Sequence, residues 1–296
     1  MKVSVIINPA SGRNNIGDYV EDILNLIRKK GGTPEIHTTT GKDDARQYLT
    51  NHGAGSGMIV CCGGDGTLSE VINGAVDLPG QPPIAYIPSG TTNDFSKTMG
   101  LPTDILKALM VLSHGVSRAL DVGKFEDRYF IYVASFGLFA ESSYATPRKL
   151  KRRLGHLAYM ITGAKELFNL RSYRMTVTDD TGKVREGDYI YGSVSNSTSI
   201  GGLMKLDDRI VDLSDGRHEV VLIRKPSRLL EFNDVIRAVI SGKYDSPLIE
   251  VFSAGSVTFA CEEKVDWSLD GEHKITSEPV KITNIPQAVR LIFPKR

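Results

Sequence analysis

Over residues 2–114, short apolar runs alternate with stretches whose apolar positions recur every three or four residues. Lys2–Ile7 reads as a strand. Over 17–30, Val20, Ile23, Leu24 and Ile27 fall at helical spacing, and Gly31-Gly32 ends the segment. Residues 35–39 read as a short strand and 43–52 as a helix. The run 57–62 is continuously apolar, as expected of a strand covered on both faces of a parallel sheet. Residues 67–76 then read as helix, Ile84–Pro88 as strand and 103–114 as helix. Strands alternating with helices at this spacing predict a doubly wound α/β domain.

After Asp121 the rhythm changes. Turn-forming residues at Glu126-Asp127, Asp180-Thr181-Gly182, Asp215-Gly216 and Asp270-Gly271 separate short apolar strands. The second half therefore reads as a mostly antiparallel β domain. The predicted division is residues 1–122 and 123–296, with the last residues able to pack back on the first domain.

Composition narrows the class. Hydrophobic residues are 41% and charged residues 24% of 296, which excludes a disordered, collagen-like or coiled-coil chain. The formal net charge of +1 carries no global signature of a nucleic-acid binder, although a local patch stays open. Cys61, Cys62 and Cys261 lack metal spacing and are too few for a disulfide framework, so a reducing compartment is expected. Cys61 and Cys62 sit in the apolar run and read as buried small hydrophobes. The apolar run after Lys2 is cut short by Asn8, too soon for a signal peptide, and Ser135 and Gly137 interrupt the run 131–140. A cytoplasmic protein is expected.

The chemistry gathers in three glycine-rich loops, each following a predicted strand. They are Asn8-Pro9-Ala10-Ser11-Gly12, Gly63-Gly64-Asp65-Gly66-Thr67, and the stretch from Pro88 through Ser89-Gly90-Thr91-Thr92-Asn93-Asp94 to Phe95. In an open α/β sheet all three belong at the carboxyl edge of the strands, where ligands bind. Glycines let backbone amides approach a ligand, a helix start offers its positive end, and Ser11, Thr67, Thr91 and Thr92 add hydroxyls. Such a surface suits a polyphosphate. No G-x-x-x-x-G-K-[ST] and no complete G-x-G-x-x-G occurs. Asp65 stands out, because a glycine turn has no need of a carboxylate whereas a Mg²⁺–phosphate complex uses one.

The strings NP-x-SG, GGDGT and P-x-GT-x-NDF, in this order and spacing, resemble the catalytic domain of diacylglycerol kinases. The chain is similar to the soluble bacterial diacylglycerol/lipid kinase family, which includes relatives of sphingosine and ceramide kinases. The resemblance covers nearly the whole chain, with residues 155–159, 212–216 and 269–272 also fitting. GGDGT alone is shared with NAD kinases and, loosely, phosphofructokinases, and that fold is implied for the first domain; the GTTNDF loop favours the lipid kinases. The resemblance implies ATP between two domains. Asn8, Ser11, Gly12 and Thr39 would line the nucleotide. Gly63, Gly64, Asp65, Gly66, Thr67, Leu68 and Ser69 would hold phosphates, Thr91 would complete the pocket, and Asp65 would help hold Mg²⁺.

The resemblance also makes Glu272 the general base toward a lipid hydroxyl. By itself the stretch 267–273 reads as a β-hairpin with Glu272 exposed, and Asp65 is a rival base that sequence does not separate from it. His273 is a neighbour that would tune Glu272. A second, structural Mg²⁺ site is implied at Asp215, with carbonyls of Asp212 and Arg217; an Asp-Gly hairpin turn explains the same residues.

Residues 146–174 hold eight Lys or Arg and one acid, Glu166, with Leu150, Leu154, Leu157, Ala158, Ile161 and Leu167 at helical spacing. A basic amphipathic helix suits an anionic membrane surface, and peripheral contact with the inner face of the membrane is expected; a solvated helix face, homodimer contacts or nucleic acid are alternatives. No histidine pair has ligand spacing, and no G-x-S-x-G supports hydrolysis. The expected function is an ATP- and Mg²⁺-dependent lipid kinase, diacylglycerol to phosphatidate. Another lipid acceptor, an NAD kinase-like enzyme, and a nucleotide sensor without catalysis are the alternatives.

Overall fold

The computed structural model describes residues 1–12, 16–138, 171–196, 199–200, 204–205 and 214–295. The chain forms two compact units, Met1–Val122 with Ile285–Arg296, and Gly123–Asn284. The chain thus passes from one unit to the other twice.

In the first unit, β1 (Lys2–Ile7), β2 (Thr33–Thr38), β3 (Met58–Gly63) and β4 (Ile84–Pro88) lie parallel in the order β2-β1-β3-β4. The end of the last strand, β17 (Val280–Phe293), continues the sheet beyond β4 through Leu291 opposite Ile84. Strand order reverses between β1 and β3, the place where open α/β sheets bind ligands. The helices are α1 (Val20–Lys29), α2 (Asp44–His52), α3 (Asp65–Ala75), α4 (Asp94–Thr98) and α5 (Ile105–His114). Ile23, Leu24 and Ile27 of α1 and Ile105, Ala108 and Leu112 of α5 pack on Val3, Val5, Val60, Cys62 and Ala85. The chain moves from β1 to β2 in one direction and from β2 through β3 to β4 in the other, so right-handed crossovers put α2 and α3 on the opposite face. There a Cβ on Gly74 of α3 would stand 2.8 Å from the Arg46 carbonyl of α2, which is why that helix pair needs a glycine.

Several boundaries differ from the sequence expectation. A 3-10 turn, Ile16–Tyr19, opens the segment expected to be helical from residue 17. Strand β2 starts at Thr33 and includes Pro34, tolerated because β2 is an edge strand with no second ladder to serve. Helix α3 starts at Asp65, not 67, which places Asp65 and Gly66 in its first turn. Helix α5 starts at Ile105, where Asp104 accepts the Lys107 amide at 3.0 Å as its N-cap. Helix α4 was not expected; five residues are too few to show a period. Cys61 and Cys62 are fully buried in β3, and burial pushes the Cys62 thiol up to about 12, so both behave as core residues.

The second unit is antiparallel. Its strands are the end of β5 (Val116–Phe125), then β6 (Arg128–Phe130), β7 (Val133–Gly137), β8 (Tyr173–Asp179) and β9 (Val184–Ser195). The pair β10 (Ser199–Ile200) and β11 (Met204–Lys205) stands apart. They are followed by β12 (His218–Arg224), β13 (Ile249–Ala254), β14 (Ser256–Cys261), β15 (Val265–Leu269), β16 (Glu272–Thr276) and the start of β17. The order runs β16-β15-β7-β9-β8-β14-β17, with β12 joining β9 to β13. Trp267 centres the core, edge-on to Phe136, Phe125 and Phe259 at 5.0, 5.1 and 5.2 Å between ring centres. Helix α6 (Leu229–Ser241) packs Val235, Ala238 and Val239 against Tyr191, Val221 and Ile223. The α/β half followed by an antiparallel β half is the fold class expected. Among the described residues no helix is long and apolar enough to cross a membrane.

Candidate active site

The three loops meet at the carboxyl edge of the first unit's sheet, and each is tied to the other two. The Asn8 side-chain amide donates to the Thr67 hydroxyl at 2.9 Å, joining the first loop to the second. The Ser11 and Ser89 hydroxyls lie 2.5 Å apart, joining the first to the third. The Asp65 carboxylate accepts the Asp94 and Phe95 amides at 2.9 and 3.3 Å, joining the second to the third. Asp65 therefore sits across the first turn of α4, where unpaired helix amides need an acceptor. This supplies a structural use for the residue that seemed to have none. Burial raises its pKa, with the two amide bonds pulling the other way.

The glycines are demanded by these approaches. Gly12 holds φ at +72°, and a Cβ there would fall 1.8 Å from the Ser89 carbonyl oxygen. A Cβ on Gly90 would come within 2.7 Å of the Gly64 Cα. Gly12→Ala is expected to push the first loop off the third, at a cost of about 2 kcal/mol. A melting temperature equal to that of the parent protein would show that the loops do not need this contact.

The remaining site residues fall as follows. The Asp65, Gly66 and Thr67 amides form the first turn of α3, whose donors have no partner within the helix. Thr67 is buried and its oxygen accepts from Asn8, leaving its proton for another acceptor. Gly66 and Thr91 are exposed, while Gly64 and Ser69 are half-buried. Gly63 is pressed against Thr67, whose Cβ would stand 2.5 Å from a Cβ added at Gly63. Leu68 is fully buried and its amide donates to the Gly64 carbonyl, so it packs the loop and offers a ligand neither group. Thr39 is buried at the end of β2, its amide bonded to the Ile7 carbonyl at 2.8 Å.

One supporting residue, Glu70, escaped the sequence reading, and another, Asn93, was read only as part of the third loop. Glu70, on α3, accepts the Asp43 and Ala45 amides at the start of α2. Asn93 sits at φ +48° and donates to the Gly90 carbonyl at 3.0 Å, closing the third loop. The Asn-Asp pair inside GTTNDF is the one local signal, since asparagine tolerates the left-handed region.

In the second unit, Glu272 opens β16 and is half-buried, opposite Leu269. Asp270 and Gly271, at φ +50° and +93°, form the two-residue turn before it, the backbone a tight hairpin requires. The Asp270 carboxylate accepts the Ile131, Tyr132 and Val133 amides, each at 2.9 Å, and so pins the hairpin that carries Glu272. His273 lies opposite Ser268, on the other face of the strand from Glu272, and pairs with Asp266 at 3.1 Å. The expectation that it tunes Glu272 is thereby corrected.

Of the second Mg²⁺ site, Asp212 lies outside the described residues. Asp215 accepts the Arg217 amide at 2.9 Å, and the Arg217 guanidinium bonds the Ser253 carbonyl at 2.8 Å. Among the described residues no cluster of three His, Cys, Asp or Glu side chains is arranged to hold a metal. The basic segment lies outside them too, except for its end. There Arg171 pairs with Asp266 at 2.9 Å and Arg174 with Asp188 at 3.3 Å.

The family profile described as the diacylglycerol kinase catalytic domain matches residues 2–125. The profile of the YegS C-terminal NAD kinase beta sandwich-like domain matches residues 133–293. A diacylglycerol kinase of Bacillus subtilis (strain 168) is 32% identical over 297 residues, covering 99% of this chain and 97% of that protein. The crystal structure of a Bacillus anthracis str. Sterne protein, described as a candidate diacylglycerol kinase, is 26% identical. It superposes at a TM-score of 0.80, covering 99% of this chain and 97% of that one. An NAD kinase from Archaeoglobus fulgidus in complex with ATP, 14% identical at a TM-score of 0.51 and covering 99% and 94%, shares the fold alone. With both profiles matched in order and about a third of its residues shared with a full-length relative, the chain belongs to the diacylglycerol kinase family and is a kinase.

Proposed function

We propose that the chain transfers the γ-phosphoryl group of ATP to the free hydroxyl of diacylglycerol, giving phosphatidate, with Mg²⁺ as cofactor. The observation that carries this reading is the mutual locking of three glycine loops around the first turn of α3. The names of the full-length relatives supply the acceptor. The amides of that turn and the Thr67 hydroxyl would serve phosphate oxygens, and the loop 8–12 would line the nucleotide. Asp65 would hold Mg²⁺. Mg²⁺ is usually held by one or two carboxylates together with phosphate oxygens, a demand that one carboxylate such as Asp65 meets. When bound, the ion neutralises charge on the transferring phosphate. Glu272 takes the hydroxyl proton as the acceptor oxygen bonds to phosphorus and the bond to ADP breaks. Residues 146–174 would rest on the anionic membrane that carries the lipid.

Labelled ATP with mixed micelles tests the reading, using diacylglycerol, a sphingoid base, phosphatidylglycerol and NAD as rival acceptors. Label is expected in phosphatidate, and a folded protein that labels no lipid overturns the reading. Glu272→Gln is expected to lower kcat by about 10² with melting temperature and ATP affinity unchanged. Full turnover by this variant would remove Glu272 as the base.

A further inference from the structure

At the start of α6 two adjacent leucines stand in solvent, Leu229 with 47% and Leu230 with 75% of its surface exposed. The same helix buries Phe232, Val235, Ile236 and Val239, so its apolar side is already satisfied. Leu230 falls at helical spacing with Asp234 and Arg237, on the outward polar side. Lone exposed leucines need no explanation, but these two follow Arg224, Lys225 and Arg228, with Glu231 the single acid from 224 to 231.

That acid reaches back over the helix start. One Glu231 oxygen accepts the Ser227 amide at 2.7 Å, the Ser227 hydroxyl at 2.9 Å and the Arg228 amide at 3.2 Å. These bonds hold its carboxyl below the usual range. The helix tip is therefore held in shape, with Pro226 buried and the cationic Lys225 and Arg228 just before the leucines. Arg224 is fixed as well, donating to the Glu186 carbonyl at 2.8 Å and lying over the Tyr189 ring.

We propose that this tip docks on an anionic lipid bilayer, Leu229 and Leu230 entering the acyl region while Lys225 and Arg228 meet the phosphates. Neighbouring helical residues point about 100° apart. Two such leucines spread over a broad face, which a flat apolar phase can cover. Cations just before them complement anionic headgroups. The inference deepens the reading of a membrane-borne acceptor, but binding to vesicles reads it directly. It uses none of residues 146–174.

The test is co-sedimentation of the full chain with phosphatidylcholine vesicles, with and without phosphatidylglycerol. The parent protein is expected to bind the anionic vesicles. Leu229→Ser/Leu230→Ser is expected to bind them roughly tenfold more weakly. Lys225→Gln/Arg228→Gln is expected to lose only the preference for phosphatidylglycerol and the sensitivity to salt. Both variants should phosphorylate a dispersed short-chain diacylglycerol at the parent rate and fall behind only when the acceptor is in vesicles. Unchanged vesicle binding by the leucine variant, or no binding by the parent, overturns the proposal. So does a loss on the dispersed acceptor, or a change in oligomeric state on removing the leucines, which would mark a contact with a second copy. Vesicle binding through the tip without transfer to any lipid would keep the docking surface and remove the proposed acceptor.

Discussion

Asp65→Asn is expected to lower phosphoryl transfer by about 10²–10³, the scale for losing one charge-aimed contact in a site. It is also expected to destabilise the first unit by about 1–3 kcal/mol. The Asp65 oxygens accept the Asp94 and Phe95 amides. An asparagine keeps one acceptor and turns an NH₂ toward the other amide, so donor meets donor and the third loop loosens from the second. Glu272→Gln should lose turnover with stability intact, whereas Asp65→Asn should lose both. Denaturant unfolding beside initial rates separates the two roles.

The pH dependence carries a sign. Burial raises the Asp65 pKa above its ordinary value. The folded protein therefore binds a proton there that the unfolded chain has released, and this contribution to stability is lost as pH rises through the raised pKa. In the metal-free protein stability is expected to fall across that interval, and Asp65→Asn should flatten this part of the curve. Denaturant midpoints that do not fall there in the parent protein would refute the assignment.

Asp179→Ala is expected to cost about 3–5 kcal/mol of the second unit's stability. Arg185 has 5% and Asp179 7% of their side chains exposed, and they pair at 2.9 Å. Arg185 also donates to Glu250 at 2.5 Å and lies 3.6 Å from the centre of the Phe252 ring. Removing Asp179 leaves a buried guanidinium one partner short. The same carboxylate accepts the Thr181 and Lys183 amides at 2.9 and 3.1 Å, so the turn between β8 and β9 loses its anchor as well. The Thr181 hydroxyl bond and then the Arg185 charge, against the opposing pull of burial, hold Asp179 well below the usual carboxylate range. A depressed pKa gives stability that is present above the unfolded value and lost as pH falls below about 4. Denaturant midpoints on both sides of that pH check it: the parent should weaken in acid, and Asp179→Ala should start weaker and change less.

Much of the first unit was legible because its signals are local. Ile84–Pro88 and Lys2–Ile7 are short apolar runs flanked by glycine or polar breaks, and α1 shows its period over three turns. The three loops were found because glycine and asparagine advertise backbone that other residues resist. Helix α4 was missed because five residues carry no period. The structural use of Asp65 is hidden in the sequence because nothing near it shows the amides of Asp94 and Phe95, some thirty residues on. Asp270 read as a plain turn residue, yet it accepts amides nearly 140 residues away.

By itself, then, the order of apolar runs, turns and glycine loops determined an α/β half, an antiparallel half and a phosphate-binding family. Those properties depend on residues a few positions apart, where propensity and periodicity act. Only the tertiary structure decided that Asp65 and Glu70 each clamp the start of another helix, that Leu68 packs rather than binds, and that His273 turns away from Glu272. Those facts depend on strand order and register, which bring distant amides and carboxylates within hydrogen-bonding range, and no short stretch of chain encodes that distance.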